Sequence, residues 1–458
     1  MKRIWTIALL TATAATGCDS GMPTEDMRMD LSTSRMDEGM PPDLSVVDMA
    51  MTGPDIAVGP DIALGPDIAI GPDISVGPDI AIGPDLLVLD LAMPDLVVLP
   101  DLTPPPDMAK PLFGMATKVA LNMGAGPYSV AARDLNIDGK VDLVVADYTT
   151  GQFEILMGNG DGTFKAPVAY TVGANSFPKG IAVADIDRDN KLDVTISSSL
   201  GVTVFRGNGD GTFVSPGTSY AAGSRPRFVV AADFDNSGFQ DVGVVNNGTN
   251  TVSLFVNNHN GGLTTPPQNL ATGNLPVGIA TGEFNNDGFL DLVVTNTDAT
   301  VSVILNSGMA GPSFKPAVAV TVGTNPISAA AGDVNGDFNT DIAVANNLDN
   351  TISLLSGNGK GTFTALGMPI AVTKNPAAVA LSDLDKSGSL DIAVAAAGAG
   401  QLTVCLGKGD GTFPTIYNFD SGASPSGLAV ADFNGDKKPD AVISNSGDNN
   451  VSVFLNNW

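Results

Sequence analysis

Seven times between Asp134 and Asp440 the chain writes one nine-residue acidic pattern, with starts 48 to 51 residues apart. The copies read DLNIDGKVD from Asp134, DIDRDNKLD from Asp185, DFDNSGFQD from Asp233, EFNNDGFLD from Glu283, DVNGDFNTD from Asp333, DLDKSGSLD from Asp383 and DFNGDKKPD from Asp432. A short unit repeated at a fixed period cannot bury its apolar face alone. It must stack on its neighbours, so the chain folds as propeller blades or a solenoid and not as separate domains.

Within one period the order is a strand GIAVAD (180–185), the acidic loop, a strand DVTISS (193–198), a strand VTVFRG (202–207), a glycine hairpin GNGDGTF (207–213) and a last strand near 219–222. Short Val, Ile and Ala alternations punctuated by Gly, Asn, Asp and Pro predict an all-β chain, and four antiparallel strands per unit make one propeller blade. The seventh unit stops after VSVFLNN (451–457) and lacks its hairpin and outer strand. FGMATKVALNMG (113–124) matches FKAPVAYTVG (164–173) and supplies the missing outer strand. The prediction is a seven-bladed β-propeller over 113–458, closed by its N-terminal strand so that no free edge remains.

A hard cation such as Ca²⁺ takes six to eight oxygens at flexible geometry, and side-chain oxygens at alternate positions of a tight loop converge on one point. Positions 1, 3, 5 and 9 supply them, with a backbone carbonyl expected from position 7. The candidate ligands are Asp134, Asn136, Asp138 and Asp142; Asp185, Asp187, Asp189 and Asp193; Asp233, Asp235, Ser237 and Asp241; Glu283, Asn285, Asp287 and Asp291; Asp333, Asn335, Asp337 and Asp341; Asp383, Asp385, Ser387 and Asp391; and Asp432, Asn434, Asp436 and Asp440. No Glu follows at the twelfth position, so the loop is not an EF-hand. Mg²⁺ is disfavoured by its strict octahedron, and Zn²⁺ by the lack of Cys and His.

Residues 113–458 hold 31 acids against 17 bases, a net of -14, and 22 of the acids sit in the seven loops. Up to seven structural Ca²⁺ ions would cancel that charge, and without them the carboxylates repel. The alternative is seven solvated acidic turns. The copies are unequal: Asn190 replaces the turn glycine in the second, and Phe338 and Lys437 replace it in the fifth and seventh. Positive φ strains such residues, so those two loops are expected to turn differently or to bind more weakly. Affinity is expected to be lowest in the fifth copy, with the third and sixth weakened by Ser237 and Ser387.

These loops resemble the FG-GAP or VCBS repeats, the calcium-loop propellers also found in integrin α-subunits, over roughly 113–458. The resemblance implies structural calcium in each blade and partner binding on the propeller faces. It does not imply a reaction.

Ahead of the repeats, Lys2 and Arg3 precede an apolar run and then Ala15, Thr16, Gly17 and Cys18, a secretory signal over 1–17. The small residues before Cys18 resemble a bacterial lipobox, which would acylate Cys18; an ordinary cleaved signal is the alternative. Residues 18–112 read as an acidic, Pro-rich tether with six GPDIAV-like repeats, because Pro at every sixth residue forbids a helix or a central strand. The expected location is the cell envelope, at the outer membrane or cell surface, with the membrane engaged through the lipid alone.

The net charge of -27 argues against nucleic acid or an anionic membrane surface as a direct partner. His259 is the single histidine and reads as a solvated turn residue, and Cys405 reads as a buried apolar one. No nucleophile and base are marked, so a monomeric, non-enzymatic adhesion module for a polysaccharide or a cell-surface protein is expected. A calcium-dependent lyase or hydrolase and a passive structural protein are the alternatives. The residue after the repeated proline varies between blades (Tyr128, Lys179, Arg227, Val277, Ile327, Ala377, Ser426), and Arg225, Arg227 and Phe228 form the candidate ligand-binding cluster there.

Overall fold

The structure, a computed structural model, describes residues 12–13 and 111–458, except 123, 125, 309 and 310. Apart from the few described positions, the expected signal, Cys18 and the tether lie outside this set. The described residues are strands, turns and loops with no helix, hence none long and apolar enough to cross a membrane.

Seven antiparallel sheets form the ring. Blade 1 consists of Pro127–Arg133, Asp142–Asp147, Gln152–Leu156 and Val168–Thr171, paired in chain order. The first strand of each blade is the innermost and meets the first strand of the next. Those of blades 2 to 7 are Ile181–Ala184, Pro226–Ala232, Pro276–Gly282, Pro326–Gly332, Pro376–Ser382 and Pro425–Ala431. In the six inner strands that begin with proline the register shifts within three residues of it, as expected where a residue without an N–H starts a strand. Residues Ala12–Thr13 pair with Leu428 and Gly427 on the inner strand of blade 7.

The ring closes as the sequence predicts. Thr117–Ala120 is the outer strand of blade 7, antiparallel to Asn450–Phe454 with Thr117 opposite Val453. The seal extends one residue further than expected, since Leu112 is fully buried and its carbonyl accepts the N–H of Asn457 at 2.9 Å.

Seven apolar clusters hold the ring, each dominated by side chains of two adjacent blades. The second residue of every acidic loop (Leu135, Ile186, Phe234, Phe284, Val334, Leu384, Phe433) is buried in one of them. Each acidic loop is therefore anchored by its own side chain in a seam between blades. Cys405 is fully buried in the seam of blades 5 and 6, and burial pushes its thiol to about 12.

Candidate metal centres

Each acidic loop joins the inner strand of a blade to its second strand, and position 9 is the first residue of that second strand. Two contacts repeat in all seven loops. The carboxylate at position 1 accepts the N–H of position 6 at 2.7 to 3.0 Å, which folds the loop around that side chain. The carboxylate at position 9 is fully buried, and it accepts the N–H of position 2 and the N–H of the residue that ends the third-strand segment, at 2.7 to 3.1 Å. In blade 4 these donors are Phe284 and Asn306. The sequence marks position 9 as one ligand among four. The structure adds a second duty, tying the loop to the far end of its own blade.

Every loop also places two residues at positive φ, at positions 4 and 6. The pairs are Ile137 and Gly139, Arg188 and Asn190, Asn236 and Gly238, Asn286 and Gly288, Gly336 and Phe338, Lys386 and Gly388, and Gly435 and Lys437. The expectation that the fifth and seventh loops turn differently is corrected here. Phe338 and Lys437 hold φ of 65° and 66°, and the glycine has moved to position 4. The sequence draws the eye to position 6 alone, yet one glycine can serve either site. The second loop has neither glycine.

The donor set fits a hard cation. In repeats 2, 3 and 6, the carboxylate oxygens of Asp185, Asp187 and Asp193, of Asp233, Asp235 and Asp241, and of Asp383, Asp385 and Asp391 lie within 4.8 Å of one another. Asp187 Oδ1 and Asp383 Oδ1 are buried without a hydrogen-bond partner; the Asp187 carboxylate faces Arg206, whereas Asp383 meets no side-chain cation among the ion pairs of described residues, a costly state that a bound metal ion would relieve. The other four loops carry Asn136, Asn285, Asn335 and Asn434 at position 3, each with its Oδ1 turned into the loop to accept the N–H of position 5. Burial, with the neighbouring acids adding to it, pushes Asp241, Asp291 and Asp391 from 3.8 to about 7 and Asp440 to about 6.

The loops also reach across the seams. The position-2 carbonyl accepts a hydrogen bond from the next blade in six cases: Ile186 from Asn257, Phe234 from Asn306, Phe284 from Gly361, Val334 from Gly411, Leu384 from Asn456 and Phe433 from Gly162. An ion held by a loop would therefore stiffen a joint between blades as well as one turn.

The predicted ligand-binding cluster divides. Tyr128, Val277, Ile327 and Ala377, from blades 1, 4, 5 and 6, are buried in one cluster with Phe228 of blade 3. The Tyr128 and Phe228 rings stack at 6.2 Å across the intervening blade 2. Gly180 of blade 2 permits this, since a Cβ there would lie 2.9 Å from Phe228 Cα. Variation after the proline is thus largely the filling of one shared space on the ring axis. Phe228 is corrected from a surface residue to part of this plug. Arg227 is half-buried with Nη1 3.4 Å from the Tyr128 hydroxyl, and Arg225 is exposed. Nearby, Tyr148 packs on Phe177 at 5.3 Å, and Lys179 Nζ lies 5.2 Å from the centre of the Tyr148 ring. His259 is exposed, and its ring stacks on Phe239 at 4.7 Å.

Comparison with known proteins bears on the fold. The FG-GAP-like repeat family matches residues 134–196, 233–294, 283–344, 333–394 and 383–443, together more than half of the chain. No curated protein matches the sequence. Among solved structures, BBS1N in complex with ARL6DN is similar at 11% identity and a TM-score of 0.53, covering 76% of this chain and 98% of that one. A catalytically inactive virginiamycin B lyase from Staphylococcus aureus with quinupristin is similar at 13% identity and a TM-score of 0.50, covering 75% and 99%. At these identities the likeness is one of fold alone.

Proposed function

This chain belongs to the FG-GAP-like repeat family, and from that premise we propose that it is a calcium-stabilised binding and adhesion module carried at the cell envelope on a lipid-anchored tether. The observation that carries the metal half is the buried, unpartnered carboxylate oxygen of Asp383 beside Asp385 and Asp391. An oxygen donor set of this kind selects a hard cation, with the nearby, fully buried Cys405 held as a thiol by its own burial and the Asp391 charge, and Ca²⁺ tolerates its irregular geometry better than Mg²⁺ does. When bound, calcium supplies positive charge that allows the ninth-position acid to stay ionised at neutral pH.

The chain's own residues do the rest. The acid at position 9 holds the loop to the third strand, the side chain at position 2 fills the seam, and the carbonyl at position 2 ties one blade to the next. A ring made rigid in this way offers its loop ends as a binding face. The proposed contact surface is the axial end that carries exposed Arg225, half-buried Arg227 and the Tyr148, Phe177 and Lys179 group. Aromatic faces beside guanidinium and ammonium groups suit a hydroxylated or anionic glycan.

The test uses the full chain. Thermal melts with chelator and with calcium examine the metal half, and an unchanged melting point would remove it. A glycan array on the calcium-loaded protein, compared with Arg225→Ala/Arg227→Ala, examines the surface. Equal capture by both proteins removes that surface, and turnover of a polysaccharide would replace adhesion with catalysis.

A further inference from the structure

Repeat 2 carries a residue that the other six lack. Arg206 follows its third strand where the other blades have Met157, Val256, Leu305, Ser356, Leu406 and Leu455. Its Nη1 lies 2.6 Å from Asp193 Oδ2 and 3.5 Å from Asp187 Oδ2. Its Nη2 donates to the carbonyl of Gly261 in the hairpin of blade 3. Lys191 Nζ meets Asp189 Oδ2 at 3.0 Å. Three of the four carboxylates in this loop therefore face a side-chain cation. Among ion pairs between described residues, no other loop has one on its first, third or ninth position.

We propose that Arg206 is a built-in cation standing where repeat 2 would otherwise hold a divalent ion, so that the ring binds one ion fewer than it has acidic loops. This rests on the calcium reading of the other six. A guanidinium presents several N–H donors in a fixed fork and stays charged at every relevant pH, so it can join two carboxylates as a metal would. Its fixed charge beside Asp187 and Asp193 repels a divalent ion seeking the same oxygens.

The side chain also does the structural work expected of the ion. Its contact with Gly261 crosses the seam between blades 2 and 3, alongside the Asn257 bond to the Ile186 carbonyl at 2.7 Å. Asp187 Oδ1 keeps no hydrogen-bond partner, so the guanidinium balances the charge without saturating every lone pair. Counted by carboxylates, repeat 2 is the richest loop, with four where each other loop has three. The structure reverses that ranking.

The experiment is calcium stoichiometry on the full chain, by equilibrium dialysis and elemental analysis, for wild type and Arg206→Leu. Leu is native at this position in repeats 4, 6 and 7. The expected result is one more ion per chain in the variant, and equal non-zero numbers in both overturn the role of Arg206 while leaving the calcium reading intact. Absence of bound calcium from both proteins overturns both. Should the variant fail to fold, anomalous diffraction from wild-type crystals grown with terbium decides: peaks in other loops and none among Asp185, Asp187 and Asp193 support the proposal, and a peak there overturns it.

Discussion

The acidic loops and the axial plug are built from the same seven repeats under opposite rules. Each loop meets the same surroundings, its own blade and one seam with the next, so the same solution recurs: position 1 to the N–H of position 6, and position 9 to the end of the third strand. The residues after the repeated proline share one space on the axis, and seven identical side chains cannot fill it. There Tyr128 and Phe228 supply the bulk, and Gly180 and Ala377 make room. Repetition marks surroundings that recur blade by blade in this ring, and variation marks the one space that several blades fill together.

Removing metal tests the loop side of the comparison most severely. If several loops hold calcium at about a hundred times its dissociation constant, each contributes about 2.7 kcal/mol, so chelation should lower the melting point by many degrees. The metal-free protein should also show an inverted pH response. The ninth-position acids of repeats 3, 4 and 6 are raised from 3.8 to about 7, so the folded state holds protons that the unfolded chain has released. That contribution is fully present below about pH 4 and is lost as pH rises to about 7. Melts in chelator across this range should fall, whereas melts in calcium should be flatter. A rising curve in chelator would contradict the assignment.

Asp291→Ala comes next. It strands the buried N–H groups of Phe284 and Asn306, at about 1–3 kcal/mol each, and should cost about 3–5 kcal/mol in urea unfolding whether or not calcium is present. A loss seen in calcium alone would mean that position 9 is a ligand and nothing more. On the axial side, Phe228→Ala should cost about 3 kcal/mol through the cavity it leaves, with the number of bound ions unchanged. The smallest effect is a gain. Phe338→Gly removes positive-φ strain at an exposed side chain and should add about 1 kcal/mol, read as a higher urea midpoint.

The ring is legible in the sequence because the period, the turn residues and the truncated last unit all point to one closure, which the pairing of Thr117 with Val453 bears out. The candidate ligands are legible because carboxylates at alternate positions stand out in a chain so poor in charge. The exchange of glycine between positions 4 and 6 stays hidden because either position can carry the strain, and only the φ of Phe338 and Lys437 shows that both are left-handed. Arg206 stays hidden because it lies 13 residues beyond Asp193 and joins the loop only through the blade's second hairpin. Phe228 misleads because a variable aromatic beside two arginines looks the same in sequence on a face or in a plug.

The outer strand of blade 7 carries a kinetic consequence. Lys118 and its partner Asp448 are separated by 330 residues, so at ordinary synthesis speeds the strand Thr117–Ala120 waits roughly 15–65 s for its mate to be made. During that interval blade 1 lacks the neighbour on one flank, and a short β edge is open to mispairing with another nascent copy. Completion of the circle is then a late, high-contact-order event, and the protein should depend on holding chaperones more during synthesis than after it.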